Sequence, residues 1–245
     1  MSELRAVFFD VGNTLVYPHP SVSEVCRQVL AEAGHTRGLH GIDTYMPLVD
    51  AYYEERYQED DAFWTDEQRT HSVWVGMYSL LCRQLGLEAE AVSIARRVYE
   101  EFGKPDRWAV YDDVLPALRR LTDRGLTVGI ISNWDSRLSG VLAGLGLGVY
   151  VSTIVSSAEV GLHKPDPRIF ELACERLGVE PQRAAHVGDH HYADYLGAQA
   201  LGMRAVLIDR FDGQADHGVS VIRTLDSLEA ALGIPHGDSE GARHE

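Results

Sequence analysis

The chain has 245 residues, 45% of them hydrophobic, and its 37 acidic against 22 basic residues give a formal net charge of −15. This balance argues against a nucleic-acid partner, whose phosphates require a basic surface, and no apolar stretch approaches the roughly 20 residues that span a bilayer. Met1–Arg5 lacks the features of a secretory signal peptide, and the three cysteines show no paired spacing. We therefore expect a cytoplasmic protein that binds neither nucleic acid nor membranes.

Short apolar runs alternate with helix-like stretches over much of the chain. The predicted buried strands are Ala6–Phe9, Thr127–Ile131, Thr153–Val155, Ala184–Val187 and Ala205–Ile208, of which the third is the weakest. The predicted helices between them are Val114–Arg124, Ser136–Leu145, Arg168–Leu177 and Tyr192–Leu201, and a glycine that can end a helix follows each one closely. This alternation indicates βαβ units, and therefore an α/β fold whose parallel sheet is covered by helices on both faces.

A different pattern occupies the segment from about Pro18 to Arg107. It contains no convincing strand, and its predicted helices are Ser21–Ala33, Thr44–Glu59, Asp66–Leu85 and Glu88–Phe102. Because this segment directly follows the first strand, we expect an α-helical cap above the carboxyl edge of the sheet. Residues 18–103 would form the cap, residues 1–17 and 104–235 the core, and residues 236–245 a disordered polar tail. We expect the aromatic residues of the cap to fill its own core, with one or two facing the site.

Residues with chemically useful side chains follow the ends of the predicted strands. They are Asp10, Ser132, Asn133, Lys164, Asp189 and Asp194. Since ligands bind at the carboxyl ends of parallel strands, these side chains should meet at one edge of the sheet. An aspartate there can attack phosphorus, carboxylates suit Mg²⁺ as hard oxygen ligands, and a lysine and a hydroxyl can contact phosphoryl oxygens. The combination predicts phosphoryl transfer, with Asp10 as nucleophile and with Asp10 and Asp189 as metal ligands.

Four stretches carry a resemblance to a known family: F-F-D-V-G-N-T-L, I-I-S-N-W-D, H-K-P-D-P-R-I-F and H-V-G-D-H-H-Y-A-D-Y-L-G-A. They resemble the motifs of haloacid dehalogenase-like (HAD) hydrolases, in the subfamily whose helical cap follows the first motif, over nearly all of Ala6–Leu232. The stretches S-N-W-D-S-R-L and A-H-V-G-D are also similar to the branch called haloacid dehalogenase-like hydrolase domain-containing 3. The resemblance implies a Rossmann-like core and a Mg²⁺-dependent phosphatase that acts on a small phosphorylated metabolite through an aspartyl-phosphate.

The same resemblance implies roles for single residues. Asp10 would be the nucleophile, Ser132 a hydrogen-bond donor to the phosphate, and Lys164 the group that holds nucleophile and phosphate together. Asn133, beside Ser132, is expected to contact the substrate as well.

Three further positions concern the metal and the proton. Asp189 would be a metal ligand, Asp194 would support the metal's waters, and Gly12 would offer its main-chain carbonyl. Phosphatases of this family usually carry an aspartate at the position of Gly12, as general acid for the leaving alcohol and then as base for the hydrolytic water. Glycine can do neither, and such proton transfer typically contributes about 10²–10⁴ in rate, or roughly 3–5 kcal/mol.

Several interpretations of Gly12 stay open. The substrate has a good leaving group, such as an acyl phosphate; or another side chain supplies the proton, for which His190, His191, Tyr17 and His19 are candidates. Alternatively, the chain is a weak catalyst that binds a phosphorylated ligand or a partner. Haloacid dehalogenases also lack this aspartate, but they need no metal, and the G-D-x-x-x-x-D loop retained here argues against that activity.

Overall fold

A computed structural model describes residues 3–211, 218–219 and 221–234. Its strands are β1 Ala6–Phe9, β2 Val16–Pro18, β3 Trp108–Val110, β4 Thr127–Ser132, β5 Val151–Ser156, β6 Ala184–Gly188, β7 Arg204–Ile208 and β8 Val221–Ile222. Six of them form one sheet in the order β5-β4-β1-β6-β7-β8, and each neighbouring pair in it is parallel. The five predicted core strands and the α/β fold class are therefore confirmed.

Helices surround the sheet and fill the segment between β2 and β3. They are α1 Val22–Glu32, α2 Leu39–Asp43, α3 Met46–Glu59, α4 Glu67–Gln84, α5 Ala91–Glu101, α6 Val114–Asp123, α7 Leu138–Gly144, α8 Ser157–Val160, α9 Pro167–Leu177, α10 Gly197–Ala200 and α11 Leu228–Ala231. Short 3₁₀ turns lie at Asp61–Thr65, Glu88–Glu90, Pro105–Arg107, Pro181–Arg183 and Leu225–Ser227, and a π-helical turn lies at His191–Leu196. None of the helices in these described ranges is long and apolar enough to cross a membrane. The predicted tail, residues 236–245, lies outside the described residues.

Several predicted helices start later than expected: those predicted from Glu88 and Ser136 start at Ala91 and Leu138, and two others differ for a visible local reason. Helix α3 starts at Met46 instead of Thr44, with a proline in its first turn, where the missing N–H is not needed. The stretch predicted as one helix at Tyr192–Leu201 opens with the π-helical turn and continues as α10. Its first turn is wide because the carbonyl of His190 accepts from the N–H groups of both Asp194 and Tyr195.

Strand β1 is buried on both faces of the sheet, which explains its uninterrupted apolar sequence. Val7 and Phe9 pack into the cluster beneath α6, α7 and α11, whereas Ala6 and Phe8 pack into the cluster beneath α9 and α10. All four side chains are completely buried. The strand that delivers Asp10 to the sheet edge is therefore held from both sides.

Helices α1 to α5 pack around a hydrophobic cluster of their own. Its fully or nearly fully buried members include Val25, Leu30, Val49, Leu81 and Ile94. The chain enters this helical segment through β2 and leaves it through β3, and these two strands pair antiparallel, with Val16 opposite Val110 and Pro18 opposite Trp108. Entry and exit are therefore tied together next to the carboxyl edge of the sheet.

Arg210 connects the loop after β1 to the rest of the core. Its guanidinium donates to both carboxylate oxygens of Asp113, at 2.9 and 3.0 Å, and to the main-chain carbonyl of Thr14, at 3.0 and 2.7 Å. It also lies over the ring of Tyr111, 3.9 Å from the centroid. Such a two-pronged, charge-assisted pairing fixes geometry as well as charge, and it holds the loop that follows Asp10.

Candidate active site

Asp10 directly follows β1 at the carboxyl edge of the sheet. Its main-chain N–H donates to the carbonyl of Val187 in β6 at 2.9 Å. One carboxylate oxygen, Oδ1, accepts hydrogen bonds from Lys164 Nζ at 2.6 Å and from Ser132 Oγ at 2.9 Å. The other, Oδ2, has a single long contact with Thr14 Oγ1, at 3.4 Å. The carboxylate is therefore held through Oδ1, and Oδ2 is the less engaged oxygen.

Lys164 lies buried between two carboxylates. Its Nζ is 2.6 Å from Asp10 Oδ1 and 2.5 Å from Asp194 Oδ1, and its side chain is 3% exposed. Burial alone would lower the pKa of this ammonium group, but the charges of the two aspartates and their hydrogen bonds outweigh burial and raise it. Lys164 is therefore a permanent positive charge at the base of the site.

Asp194 is held by three donors. Besides Lys164, His186 Nε2 contacts Oδ1 at 2.8 Å and the main-chain N–H of His190 donates to Oδ2 at 3.0 Å. Burial would raise the pKa of Asp194, but the Lys164 charge and the His186 hydrogen bond outweigh it and hold that pKa below its usual range. Gly188 permits the close packing, because a Cβ there would lie 2.2 Å from Asp194 Cγ. The sequence analysis did not single out His186. Its position inside the otherwise apolar strand A-A-H-V-G was the signal that could have identified it.

The side chain of Asn133 bonds to main chain. Its Oδ1 accepts from the N–H of Lys164 at 2.8 Å, and its Nδ2 donates to the carbonyl of the same residue at 3.0 Å. Both polar atoms of the Asn133 side chain therefore fix the loop that carries Lys164. A contact between Asn133 and the substrate stays a prediction.

A third carboxylate, Asp189, follows β6 and joins the first two. The side-chain oxygens of Asp10, Asp189 and Asp194 lie within 4.8 Å of one another, a spacing at which three carboxylates can hold the same metal ion. Burial and then the negative charges of Asp10 and Asp194 raise the pKa of Asp189 well above its usual value. The cluster therefore concentrates more negative charge than Lys164 alone balances.

Gly12 is not required by the backbone at its position. Its φ lies outside the left-handed region that favours glycine, whereas the next residue, Asn13, has φ 52°. A Cβ at position 12 would meet the ring of Trp134 at an ordinary contact distance of 3.6 Å. The fold therefore leaves room for a larger residue where the family's acid usually stands.

Of the four candidates for a replacement acid, one lines the cavity and three do not. His190 lines the cavity described below, whereas Tyr17 packs edge-on against His19, and His191 lies outside the lining residues. Sequence reasoning missed Tyr57, which also lines the cavity and whose ring lies 5.8 Å from that of His190. The buried hydroxyl of Tyr57 has no hydrogen-bond partner among the described residues.

A cavity of about 400 Å³ lies above the carboxylates. Its floor includes Asp10, Asp189 and Lys164, and its walls are largely aromatic. The rings from the helical segment that line it are Tyr53, Tyr57, Trp64, Trp74, Tyr78, Tyr99 and Phe102. The expectation of one or two site-facing aromatic residues was therefore too low, because helices α3, α4 and α5 each contribute at least one.

Known proteins share both the sequence pattern and the fold. A family model described as haloacid dehalogenase-like hydrolase matches residues 4–202. The chain is 35% identical over 237 residues to haloacid dehalogenase-like hydrolase domain-containing protein 3 of Danio rerio, with 94% of this chain and 96% of that protein covered.

Two solved structures have similar folds and different activities in their names. One is a HAD phosphatase from Thermococcus onnurineus, with 29% identity and a TM-score of 0.67, covering 94% of this chain and 98% of the other. The second is a 2-haloacid dehalogenase from Pseudomonas syringae pv. Tomato DC3000, with 25% identity and a TM-score of 0.65 over the same shares.

The parallel sheet and the order of its site residues along the chain agree with these matches. The chain belongs to the haloacid dehalogenase-like hydrolase family.

Proposed function

We propose that this hydrolase is a Mg²⁺-dependent phosphatase that acts on a small phosphorylated molecule through an aspartyl-phosphate on Asp10. The observation that carries the proposal is the position of Lys164, whose ammonium group bridges Asp10 and Asp194 in a buried place. A fixed positive charge beside a nucleophilic carboxylate suits an anionic phosphoryl group. The similarity to a phosphatase structure gives further support.

Asp10 attacks phosphorus through Oδ2, the oxygen that carries only the long Thr14 contact. The new Oδ2–phosphorus bond forms while the bond between phosphorus and the leaving oxygen breaks, and its electron pair departs with that oxygen. Lys164 and Ser132 hold Oδ1 and so fix the direction of attack. Water then attacks phosphorus, and the bond between phosphorus and Asp10 Oδ2 breaks with its electron pair returning to the carboxylate. Inorganic phosphate leaves with the oxygen of the water, whose protons pass to the phosphate or to solvent.

Asn133 serves in this proposal as a positioning residue. Its two hydrogen bonds to the main chain of Lys164 fix the position of that residue and therefore of its ammonium group. Ser132 and Lys164 are the proposed contacts to the phosphate, and Asn133 acts through Lys164.

The carboxylate cluster fits a hard divalent cation. The oxygens of its three carboxylates lie within 4.8 Å of one another, and the pKa of Asp189 is raised. A bound cation would reduce the repulsion between these carboxylates. Asp10, Asp189 and the main-chain carbonyl of Gly12 would hold Mg²⁺, with Asp194 supporting its waters. When bound, the ion supplies positive charge that stabilises the phosphoryl oxygens.

The nucleophile is tested by phosphate release from p-nitrophenyl phosphate, acetyl phosphate and a simple alkyl phosphate, each with Mg²⁺ and with EDTA. We expect release from the first two to require Mg²⁺ and to fall by at least about a thousandfold in Asp10→Asn, because the attacking oxygen is lost. Asp123→Asn, an exposed carboxylate on α6, is the matched control and should leave the rate unchanged.

Other outcomes favour the alternatives. If the protein releases chloride from a 2-chloro acid and EDTA does not reduce this rate, the protein is a metal-independent dehalogenase. A Mg²⁺-dependent complex with a phosphate ester that never turns over would mean a binding module.

A second prediction concerns the missing acid. Gly12→Asp should raise kcat for the alkyl phosphate by about 10²–10⁴, because the new carboxyl protonates a poor leaving group. It should change kcat/KM for acetyl phosphate little, since this quantity reports the steps up to departure of the leaving group and acetate departs without a proton. Gly12→Asn has nearly the same shape and no proton to give, so an equal gain in Gly12→Asn would contradict this explanation.

A third prediction concerns the opposite effects of Asp189 and Asp194, the two carboxylates that follow β6, on the melting temperature. In metal-free protein, Asp189→Asn should raise the melting temperature, because it removes one of three mutually repelling carboxylates. Asp194→Asn should lower it by on the order of 10 °C, since it leaves Lys164 with one partner fewer in a buried site. Differential scanning calorimetry measures both, and Mg²⁺ should stabilise the wild type more than Asp189→Asn. Equal shifts in the two variants, with no response to Mg²⁺, would rule out this assignment.

A further inference from the structure

The wall of the cavity contains a continuous series of aromatic rings, which we call the aromatic wall: Tyr53, Trp74, Tyr78, Phe102, Trp108 and Trp134. Successive ring centroids along this series are 5.8, 6.4, 6.0, 5.9 and 4.9 Å apart. These spacings fall near the range in which aromatic side chains interact favourably. The wall starts on α3 and ends beside the sheet edge.

The aromatic wall ends where the family's acid is missing. The ring of Trp134 is the group that a Cβ on Gly12 would meet, and Gly12 lies two residues after Asp10. At the other end of the wall, burial and the nearby charges, among them those of Asp189 and Asp10, raise the pKa of Tyr53 to about 12. Both ends of the aromatic wall therefore lie near the carboxylates, so a ring that lies against the wall is adjacent to the place proposed for the phosphate.

The cavity offers little positive charge beyond Lys164. Among the described residues that line it, the other lysine or arginine is Arg137. Its guanidinium donates to both carboxylate oxygens of Asp135, at 2.8 and 2.6 Å, and lies over the ring of Tyr99, 3.6 Å from the centroid. Because this charge is already matched, a second anionic group on the substrate would lose its hydration and gain no free cation.

The leaving-group chemistry agrees with the wall. A phenol loses its proton near pH 10, as tyrosine does, whereas an aliphatic alcohol resembles water, with a pKa of about 16. Phenolate can therefore depart without the proton that Gly12 cannot give. The aromatic wall and the absent acid are separate features of the chain, and both favour the same leaving group.

We propose that the substrate is an aryl phosphate, a phosphate monoester of an uncharged, flat aromatic hydroxyl compound. This inference rests on the proposed phosphatase function and adds the substrate class to it. The ring lies against the aromatic wall while the phosphate lies over Asp10 and Lys164. During transfer the phosphorus–oxygen bond to the ring breaks, the electron pair stays on the phenolate oxygen, and the phosphorus binds Asp10 Oδ2.

The kinetic test compares 1-naphthyl phosphate with acetyl phosphate and with glycerol phosphate. Acetate is the better leaving group, so leaving-group strength alone favours acetyl phosphate. We expect the KM for 1-naphthyl phosphate to be about tenfold or more below the KM for acetyl phosphate, because ring stacking contributes to binding on that order. An equal or lower KM for either of the two non-aromatic phosphates would overturn the inference and leave the phosphatase proposal intact.

A matched pair of variants tests the wall itself. Tyr53 and Tyr52 are neighbours on α3, but Tyr53 lines the cavity, whereas the Tyr52 hydroxyl packs against Gly76 of α4. Tyr53→Leu should raise the KM for 1-naphthyl phosphate about tenfold more than it raises the KM for acetyl phosphate, while Tyr52→Leu should leave the ratio of the two KM values unchanged. An equal rise in KM for the two phosphates in Tyr53→Leu would contradict recognition of the ring.

Binding can be measured without turnover. All four tryptophans of the chain line this cavity, so intrinsic fluorescence reports on it directly. In Asp10→Asn with Mg²⁺, 1-naphthyl phosphate should quench this fluorescence saturably, and propyl phosphate should not at the same concentrations. If 1-naphthyl phosphate quenches the fluorescence saturably but the wild type does not hydrolyse it, the phosphatase proposal is wrong and aromatic recognition is supported. Equal quenching by the two esters would overturn the aromatic inference.

Discussion

One buried ammonium group makes the candidate site possible. Lys164 Nζ lies 2.6 Å from Asp10 and 2.5 Å from Asp194, in a place where an unpaired carboxylate would be strongly destabilising. Because its charge serves both, acids that follow two neighbouring strands can face each other at the sheet edge. The surrounding contacts keep this group in place, since Asn133 fixes the main chain of Lys164 and Gly188 leaves room for Asp194.

This arrangement also explains how an acidic chain would bind the anionic substrate that we propose. The protein carries a formal net charge of −15, yet the base of the cavity holds a permanent positive charge and a carboxylate cluster suited to a divalent cation. Away from this polar floor the cavity becomes aromatic, and the one further arginine in its described lining is matched by Asp135. The two halves therefore fit a substrate with one charged end and one flat, uncharged end.

The sequence allowed five of the six strands of the parallel sheet to be predicted, because each of them gives a local apolar signal. The roles of the candidate site residues stay predictions, although their positions after the strand ends could be read from the sequence. Strand β1 is apolar throughout since it is buried on both faces, whereas the two-residue strand β8 has one exposed residue and gave no such signal. The partners of a side chain depend on the assembled fold. The hydrogen bonds between the Asn133 side chain and the main chain of Lys164 could therefore not be predicted. Tyr52 and Tyr53 are adjacent tyrosines with the same local pattern, and only their packing decides which one reaches the cavity.

The central claim, that Asp10 becomes covalently phosphorylated, is tested most directly by acid quenching during turnover followed by peptide mass spectrometry. With acetyl phosphate and Mg²⁺, the account predicts an acid-stable, base-labile phosphoryl group on the peptide that contains Asp10, within milliseconds to seconds of mixing. The modification should be absent from Asp10→Asn. Phosphate release by the wild type with no phosphoryl group on this peptide, or with one on another residue, would contradict the account.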